Sequence, residues 1–232
     1  SARLTSTMWF AIVGPMKRGH LTALPMLLML GCHATEHDAA PRRPNVILMM
    51  ADDLASNDLS CFGGARIQTP RIDQLASEGL RLTSYYAGSA VCSPSRMALL
   101  SGAYPARLGW RWGVLGYGFP DKTGMSPAVY TIAEAFRDAG YRTAMAGKWH
   151  LGARDMAPQE QCFDSAHYIH MSNNQNRDMY RDGALVQKKW DNRLLTETFA
   201  EEAVRVIRRP SDEPFFLYIP WSAPHFPAAP HP

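Results

Sequence analysis

The chain has 232 residues, of which 46% are hydrophobic and 19% charged, and its formal net charge is +3. That balance belongs to a globular protein long enough for one large domain. No basic run or stripe marks a nucleic-acid surface, so no nucleic-acid partner is expected.

Residues 1–43 read as a leader and tether. Met16-Lys17-Arg18 supplies a positive start, Leu21 to Leu30 is nearly all apolar, and Gly31-Cys32 follows. A charged start and an apolar run too short to span a bilayer predict export, to a bacterial periplasm or cell surface. Leu28-Met29-Leu30-Gly31-Cys32 resembles a bacterial lipobox, although Met29 is not the favoured residue there. A lipid anchor at Cys32 and plain cleavage nearby both stay open. Residues 1–15 precede a plausible start at Met16 and read as sequence outside the fold; the alternative is a buried N-terminal helix.

Asn45 to Met50 is a continuous apolar run after Pro44, which suits a strand buried on both faces. Asp52 and Asp53 then fall at its C-terminal end, where open α/β sheets place their ligand crevices. Adjacent carboxylates in one crevice repel unless a hard cation lies between them; in a solvated turn they need none. Thr69-Pro70 opens a helix, with Ile72, Leu75 and Ala76 on one face and Gly79 as its stop. Leu80 to Tyr86 reads as the next strand and leads to Cys92.

Cys92-Ser93-Pro94-Ser95-Arg96, followed by Met97 to Gly102, places a cysteine at the mouth of a short helix. A first-turn proline is tolerated there, and the positive end of the dipole favours developing negative charge. Arg96 adds a fixed cation that can fork onto an oxyanion. The same residues also suit a buried structural thiol.

From Gly109 to Pro127 the chain is a loop carrying Trp110, Trp112, Tyr117 and Phe119, which either cover the core or pack on a substrate ring. Thr131 to Ala139 reads as an amphipathic helix stopped by Gly140, and Arg142 to Ala146 as a short strand. Lys148 and His150 leave that strand two residues apart, so on extended backbone they face one side. A cation and an imidazole in one pocket suit a dianionic ester; singly they are an exposed lysine and a structural histidine. Ala153 to Asn192 is polar and reads as irregular, with His167 and His170 as ordinary loop residues. Thr196 to Arg208 is an amphipathic helix, and Phe215 to Ile219 is an apolar strand followed by the Pro-rich segment of His225. Cys61 and Cys162 could pair after export.

Three ordered motifs and one further segment carry a family resemblance. Cys92-Ser93-Pro94-Ser95-Arg96 resembles the signature of the type I sulfatases. Asn45 to Asp53 resembles their first strand with paired metal-binding aspartates, and Gly147-Lys148-Trp149-His150-Leu151-Gly152 their second signature. Trp221 to Pro227 resembles their His-x-Pro segment. The resemblance runs from about Pro44 to Pro232 and implies an alkaline-phosphatase-like α/β fold, with a mixed, mostly parallel sheet and helices on both faces. It implies that a maturation enzyme oxidises Cys92 to formylglycine, whose hydrate is the nucleophile. Asp52 and Asp53, with the converted Cys92, would then hold Ca²⁺. Arg96, Lys148, His150 and His225 would be the catalytic side chains, with His225 giving the leaving alcohol its proton and His150 taking one from the nucleophile. The implied substrate is an aryl or carbohydrate sulfate ester. Phosphonate monoester or phosphodiester hydrolysis uses the same nucleophile, and a non-catalytic exported carbohydrate-binding relative is the reading from another class. The family is longer than 232 residues, so the chain is expected to be the N-terminal part of a catalytic domain. The sheet would then be short of strands, and the piece alone is expected to be unstable and inactive.

Overall fold

Four parallel strands form the middle of the sheet and point their C-terminal ends at one edge. In chain order the strands are β1 (Trp9–Ile12), β2 (Val46–Asp52), β3 (Arg142–Lys148), β4 (Ser165–Ile169), β5 (Met179–Arg181), β6 (Ala184–Gln187) and β7 (Phe215–Pro224). This computed structural model describes residues 9–12 (backbone only), 42–64, 66–111, 113–115, 123–175 and 178–232. The expected signal region from Met16 to Cys32 lies outside them. So do Trp112, Tyr117 and Phe119.

Among the described residues the strand order is β1-β2-β7-β3-β4-β5-β6. The β2, β7, β3 and β4 strands run parallel, while β1, β5 and β6 add antiparallel edges. Successive residues of a strand face opposite sides, and both sides of the parallel strands are covered. Leu48, Met50, Met145, Phe216 and Tyr218 pack with Met97 and Leu100 of α2 (Cys92–Ser101) and with Ala133 and Phe136 of α3 (Ile132–Asp138). Phe136 stacks on Phe216 with centroids 4.4 Å apart. On the other face Ile47, Met49, Ala144, Leu217 and Ile219 meet Ala203 and Val206 of α4 (Leu195–Arg208). Each large apolar side chain buried this way contributes about 1.5–3 kcal/mol. Helices therefore cover both faces, as the sequence predicts.

Local signals explain most helix ends. The first helix, Pro70–Glu78, starts with proline at its first position and ends before Gly79. Thr131 N–H donates to the Glu134 carboxylate at the start of α3. Gly102 takes a left-handed φ of 66° and donates its N–H to Ala98 O, which closes α2.

Four sequence expectations need correction. Residues 1–15, expected to lie outside the fold, contain β1, whose Trp9–Ile12 pairs antiparallel with Ile47–Met50 of β2. Leu80 to Tyr86 is not a strand but turn and coil, with Leu80 and Tyr86 among the exposed apolar side chains. β-propensity there is local, and among the described residues no strand pairs with it. The polar stretch from Ala153 to Asn192 is not irregular, because it contains β4, β5 and β6. Its polar side chains are paired: Glu202 is buried between Arg181 at 2.8 Å and Arg205, and Arg181 also meets His167. His167 is thus a strand residue, not a loop one. The signal that would have found this hairpin is Asp182-Gly183, both at positive φ between the paired Arg181 and Ala184. Finally, Cys61 and Cys162 are free thiols, on separate short turns flanking the first helix and β4.

Candidate active site

Because β2, β3 and β7 are parallel neighbours, their last residues share one edge. Asp52 ends β2, Lys148 ends β3 and His225 follows β7. The helix α2 starts over the same edge, so residues 40 or more positions apart converge on Asp52.

Asp52 is the hub. Its Oδ2 accepts from Lys148 Nζ at 2.5 Å and from Arg96 Nη2 at 3.2 Å. Its Oδ1 accepts from Cys92 Sγ at 3.3 Å. All four side chains are buried. Burial opposes ionisation of Asp52, yet the charges of Arg96 and then Lys148 bring its pKa down to about 2. Arg96 is tied further by Nη1 to Lys148 O at 2.6 Å and by Nη2 to Trp221 O at 3.4 Å, so it links α2 to both β3 and β7. Burial pushes the Cys92 thiol up despite the nearby Lys148 charge. The helix N-terminus therefore does not turn this cysteine into a thiolate.

Lys148 also donates from Nζ to Ser172 Oγ at 3.0 Å. His150 does not follow the extended alternation. Its φ is 57°, a left-handed conformation, and its ring Nε2 lies 2.8 Å from Leu115 O. A carbonyl only accepts, so Nε2 carries the proton and Nδ1 has the lone pair. Nδ1 is buried and has no hydrogen-bond partner among the described residues. Burial and then the charges of Lys148 and Arg96 lower the His150 pKa to about 3, so the ring is neutral at pH 7. Leu115 is itself fixed by its N–H donating to the buried Ser93 Oγ at 3.0 Å.

Glycine is required beside Lys148. Gly147 has a φ of 151°, and a Cβ there would lie 2.1 Å from Pro220 O, so only glycine lets β3 approach β7.

His225 lies at the open side. Its Nδ1 is 2.5 Å from Phe226 O, which leaves the Nε2 lone pair facing Asp53 Oδ2 at 3.8 Å. Asp53 has a φ of 64° and is about half exposed, unlike the buried Asp52. Two asparagines hold the His225 segment. Asn173 Nδ2 donates to His225 O at 3.2 Å and to Asn192 Oδ1 at 3.4 Å, and Asn192 Nδ2 donates to Pro227 O at 2.7 Å. Ser172, Asn173 and Asn192 are not legible as site residues, since neither the polar run 172–176 nor the segment of Asn192 carries a spacing that sets it apart from a loop. Of the expected aromatic loop, Trp110 is buried and packs in the core, with Nε1 donating to Gly113 O at 3.2 Å.

Seven sequence-selected residues thus lie around one crevice: Asp52, Asp53, Cys92, Arg96, Lys148, His150 and His225. Asp52, Cys92 and His225 each offer a donor atom within 4.8 Å of the others. Carboxylates suit a hard cation, and so would the oxygens that oxidation of Cys92 would supply. The unoxidised sulfur does not. The arrangement combines buried positive charge, a neutral imidazole and a metal-capable edge, as hydrolysis of an anionic ester requires.

Comparisons with known proteins agree with this geometry. Residues 44–232 match the family model Sulfatase. The chain is 34% identical to an arylsulfatase of Hemicentrotus pulcherrimus over 225 residues, covering 87% of this chain and 41% of that one. It thus spans about two fifths of that relative's length. Its fold is similar to the PsFucS1 sulfatase from Pseudoalteromonas sp., with a TM-score of 0.72 and 28% identity over 82% of this chain and 46% of that one. It is also similar to the protein BT4656, solved in complex with its substrate D-glucosamine-2-N,6-O-disulfate. There the TM-score is 0.63 and the identity 30%, over 79% of this chain and 35% of that one. With a family match across four fifths of its length and a mixed sheet of the alkaline-phosphatase-like kind, the chain belongs to the sulfatase family.

Proposed function

We propose that the protein is an exported sulfuric-ester hydrolase acting on an aryl or carbohydrate sulfate, with formylglycine made from Cys92 as its nucleophile. The observation that carries this reading is the placement of Cys92. It opens α2 inside a family-matched chain, against Asp52 and beside two buried cations. A thiol held protonated is a poor nucleophile, so the reading gives the nucleophilic role to its oxidised form. Formylglycine, installed at Cys92 by a maturation enzyme, would supply a geminal diol there, one hydroxyl as nucleophile toward sulfur and the other to let the sulfate leave by elimination. A divalent cation, Ca²⁺ in this reading, would be held by Asp52, Asp53 and the converted Cys92 and would supply fixed positive charge to the sulfate oxygens.

The protein's own groups do the rest. Arg96 is always protonated and keeps Asp52 ionised in a buried site. Lys148 adds a second charge where a dianion would build up. Neutral His150, locked by Leu115 O, offers Nδ1 as acceptor for a proton from the nucleophile. His225, at the open side, gives a proton from Nε2 to the leaving alcohol when its ring is doubly protonated. The sulfated glucosamine of BT4656 and the arylsulfatase relative support the substrate class.

The test is an intact-peptide mass of the Cys92 segment from the full-length protein made with its maturation enzyme, together with sulfate release. A loss of about 18 Da at Cys92, as thiol-to-aldehyde conversion requires, and faster turnover of aryl or glucosamine sulfates than of phosphate diesters support the reading. An unmodified thiol in active protein, or preferred turnover of a phosphate diester, overturns it.

A further inference from the structure

The donor atoms in the crevice change class when Cys92 is oxidised. Before conversion the crevice offers a thiol sulfur, an imidazole nitrogen and carboxylate oxygens. Sγ of Cys92 is 3.3 Å from Asp52 Oδ1, and this sulfur, a carboxylate oxygen of Asp52 and a ring nitrogen of His225 lie within 4.8 Å of one another. Asp53 Oδ2 stands 3.8 Å from His225 Nε2 but lies outside that cluster, so a fourth position falls to water. Zn²⁺ takes four such ligands in a tetrahedron, with thiolate, imidazole and carboxylate all acceptable, whereas Ca²⁺ wants six to eight oxygens.

The surroundings suit a metal ligand as well. A ligating histidine generally donates its other ring N–H to a carbonyl or carboxylate, which fixes the tautomer. His225 has that arrangement, with Nδ1 on Phe226 O and its backbone pinned by Asn173. Arg96 and Lys148 both bind Asp52 Oδ2 and leave Oδ1 turned to the sulfur. The three side chains concerned are buried or nearly so, which limits competition from water.

We propose that the unconverted protein binds a borderline transition-metal dication of the Zn²⁺ class through the Cys92 sulfur, Asp52 and His225, the metal displacing the thiol proton to solvent and water taking the fourth position. Conversion of Cys92 removes the sulfur and with it this site. The inference concerns the crevice assigned above and depends on Cys92 being a thiol before conversion, but not on sulfatase turnover.

Co²⁺ is the probe, added to the full-length protein produced without its maturation enzyme. One Co²⁺ per chain should bind with an intense near-ultraviolet thiolate-to-cobalt band. The band should persist under a large excess of Ca²⁺, vanish in Cys92→Ser and weaken in His225→Gln. Cys61 and Cys162 remain in the Cys92→Ser variant, so a surviving band would place the metal elsewhere and overturn the proposal. Zn²⁺ should also protect Cys92 from iodoacetamide in the unsubstituted protein, a readout independent of how the variants fold. No thiolate band, displacement by Ca²⁺, or alkylation unaffected by Zn²⁺ each refutes the site. A converted enzyme that hydrolyses sulfate esters would leave the functional reading standing in any of those cases.

Discussion

Lys148 Nζ lies 2.5 Å from Asp52 Oδ2, although the two residues are 96 positions apart in the chain. They come together because β7 separates their parallel strands and both side chains leave the same edge. The pair is buried, so each charge depends on the other and on Arg96. Removing one partner of a buried pair leaves the remaining charge uncompensated, which costs about 3–5 kcal/mol. Lys148→Ala should therefore lower the unfolding free energy in urea at pH 7, and Arg96 should keep the loss near the lower end. The double variant Asp52→Asn with Lys148→Met should be less destabilised than the single. A single variant as stable as the parent would show that the pair does not stabilise the fold.

Acid should destabilise the metal-free protein through His150. Its pKa is about 3 in the fold, against 6.5 for an unperturbed ring. Between those values the unfolded chain binds a proton that the folded chain does not, so unfolding is favoured as pH falls. The stability is complete above about pH 6.5 and drains away toward pH 3, a total of a few kcal/mol. Asp52, held to about 2, adds its own loss below about pH 4. Denaturant midpoints measured across this range should fall steeply for the parent and less steeply for His150→Gln. Equal slopes would remove His150 as the cause.

Gly147 tests the close approach of β3 and β7. An added Cβ meets Pro220 O at 2.1 Å on a backbone at φ 151°, so Gly147→Ala must move one strand or the other. We expect a loss of at least about 2 kcal/mol, from strain and clash together. At Gly113 an added Cβ meets nothing within 4 Å among the described residues, and Gly113→Ala should stay within about 0.5 kcal/mol of the parent. Thermal melts of the two variants side by side provide the check.

Asn173 and Asn192 clasp the His225 segment through its backbone carbonyls. Loss of the clasp should misplace His225 while leaving Cys92 and Asp52 where they are. Asn173→Ala in the matured enzyme should reduce kcat by about 10- to 100-fold, the cost of a small displacement of a reacting group. The loss should be smaller with a substrate whose leaving group needs no proton. Equal losses on good and poor leaving groups would show that the clasp does not act through His225.

Much of this was legible in the chain. The apolar runs at 45–50 and 215–219, flanked by proline or acid, locate the central strands, because burial on both faces leaves no room for alternation. The motifs around Cys92, Lys148 and His225 name the crevice side chains. Short-range capping chemistry also fixes where α2 ends and α3 starts, since a helix terminus must satisfy its own backbone groups. What the chain alone did not settle is everything decided by a partner distant in sequence. Leu80 to Tyr86 has the composition of a strand and none of its neighbours. Residues 165–187 lack that composition, yet they form three strands because Arg181, His167 and Glu202 satisfy one another across the sheet and α4. Likewise, spacing could place Lys148 and His150 together, but the left-handed turn at His150 and the carbonyl of Leu115 decided which way the ring points. The thiol of Cys92 is kept protonated by burial, which only packing creates. Sequence set which groups are present and which strands are apolar; the parallel register of β2, β7 and β3 set which of those groups share a charge.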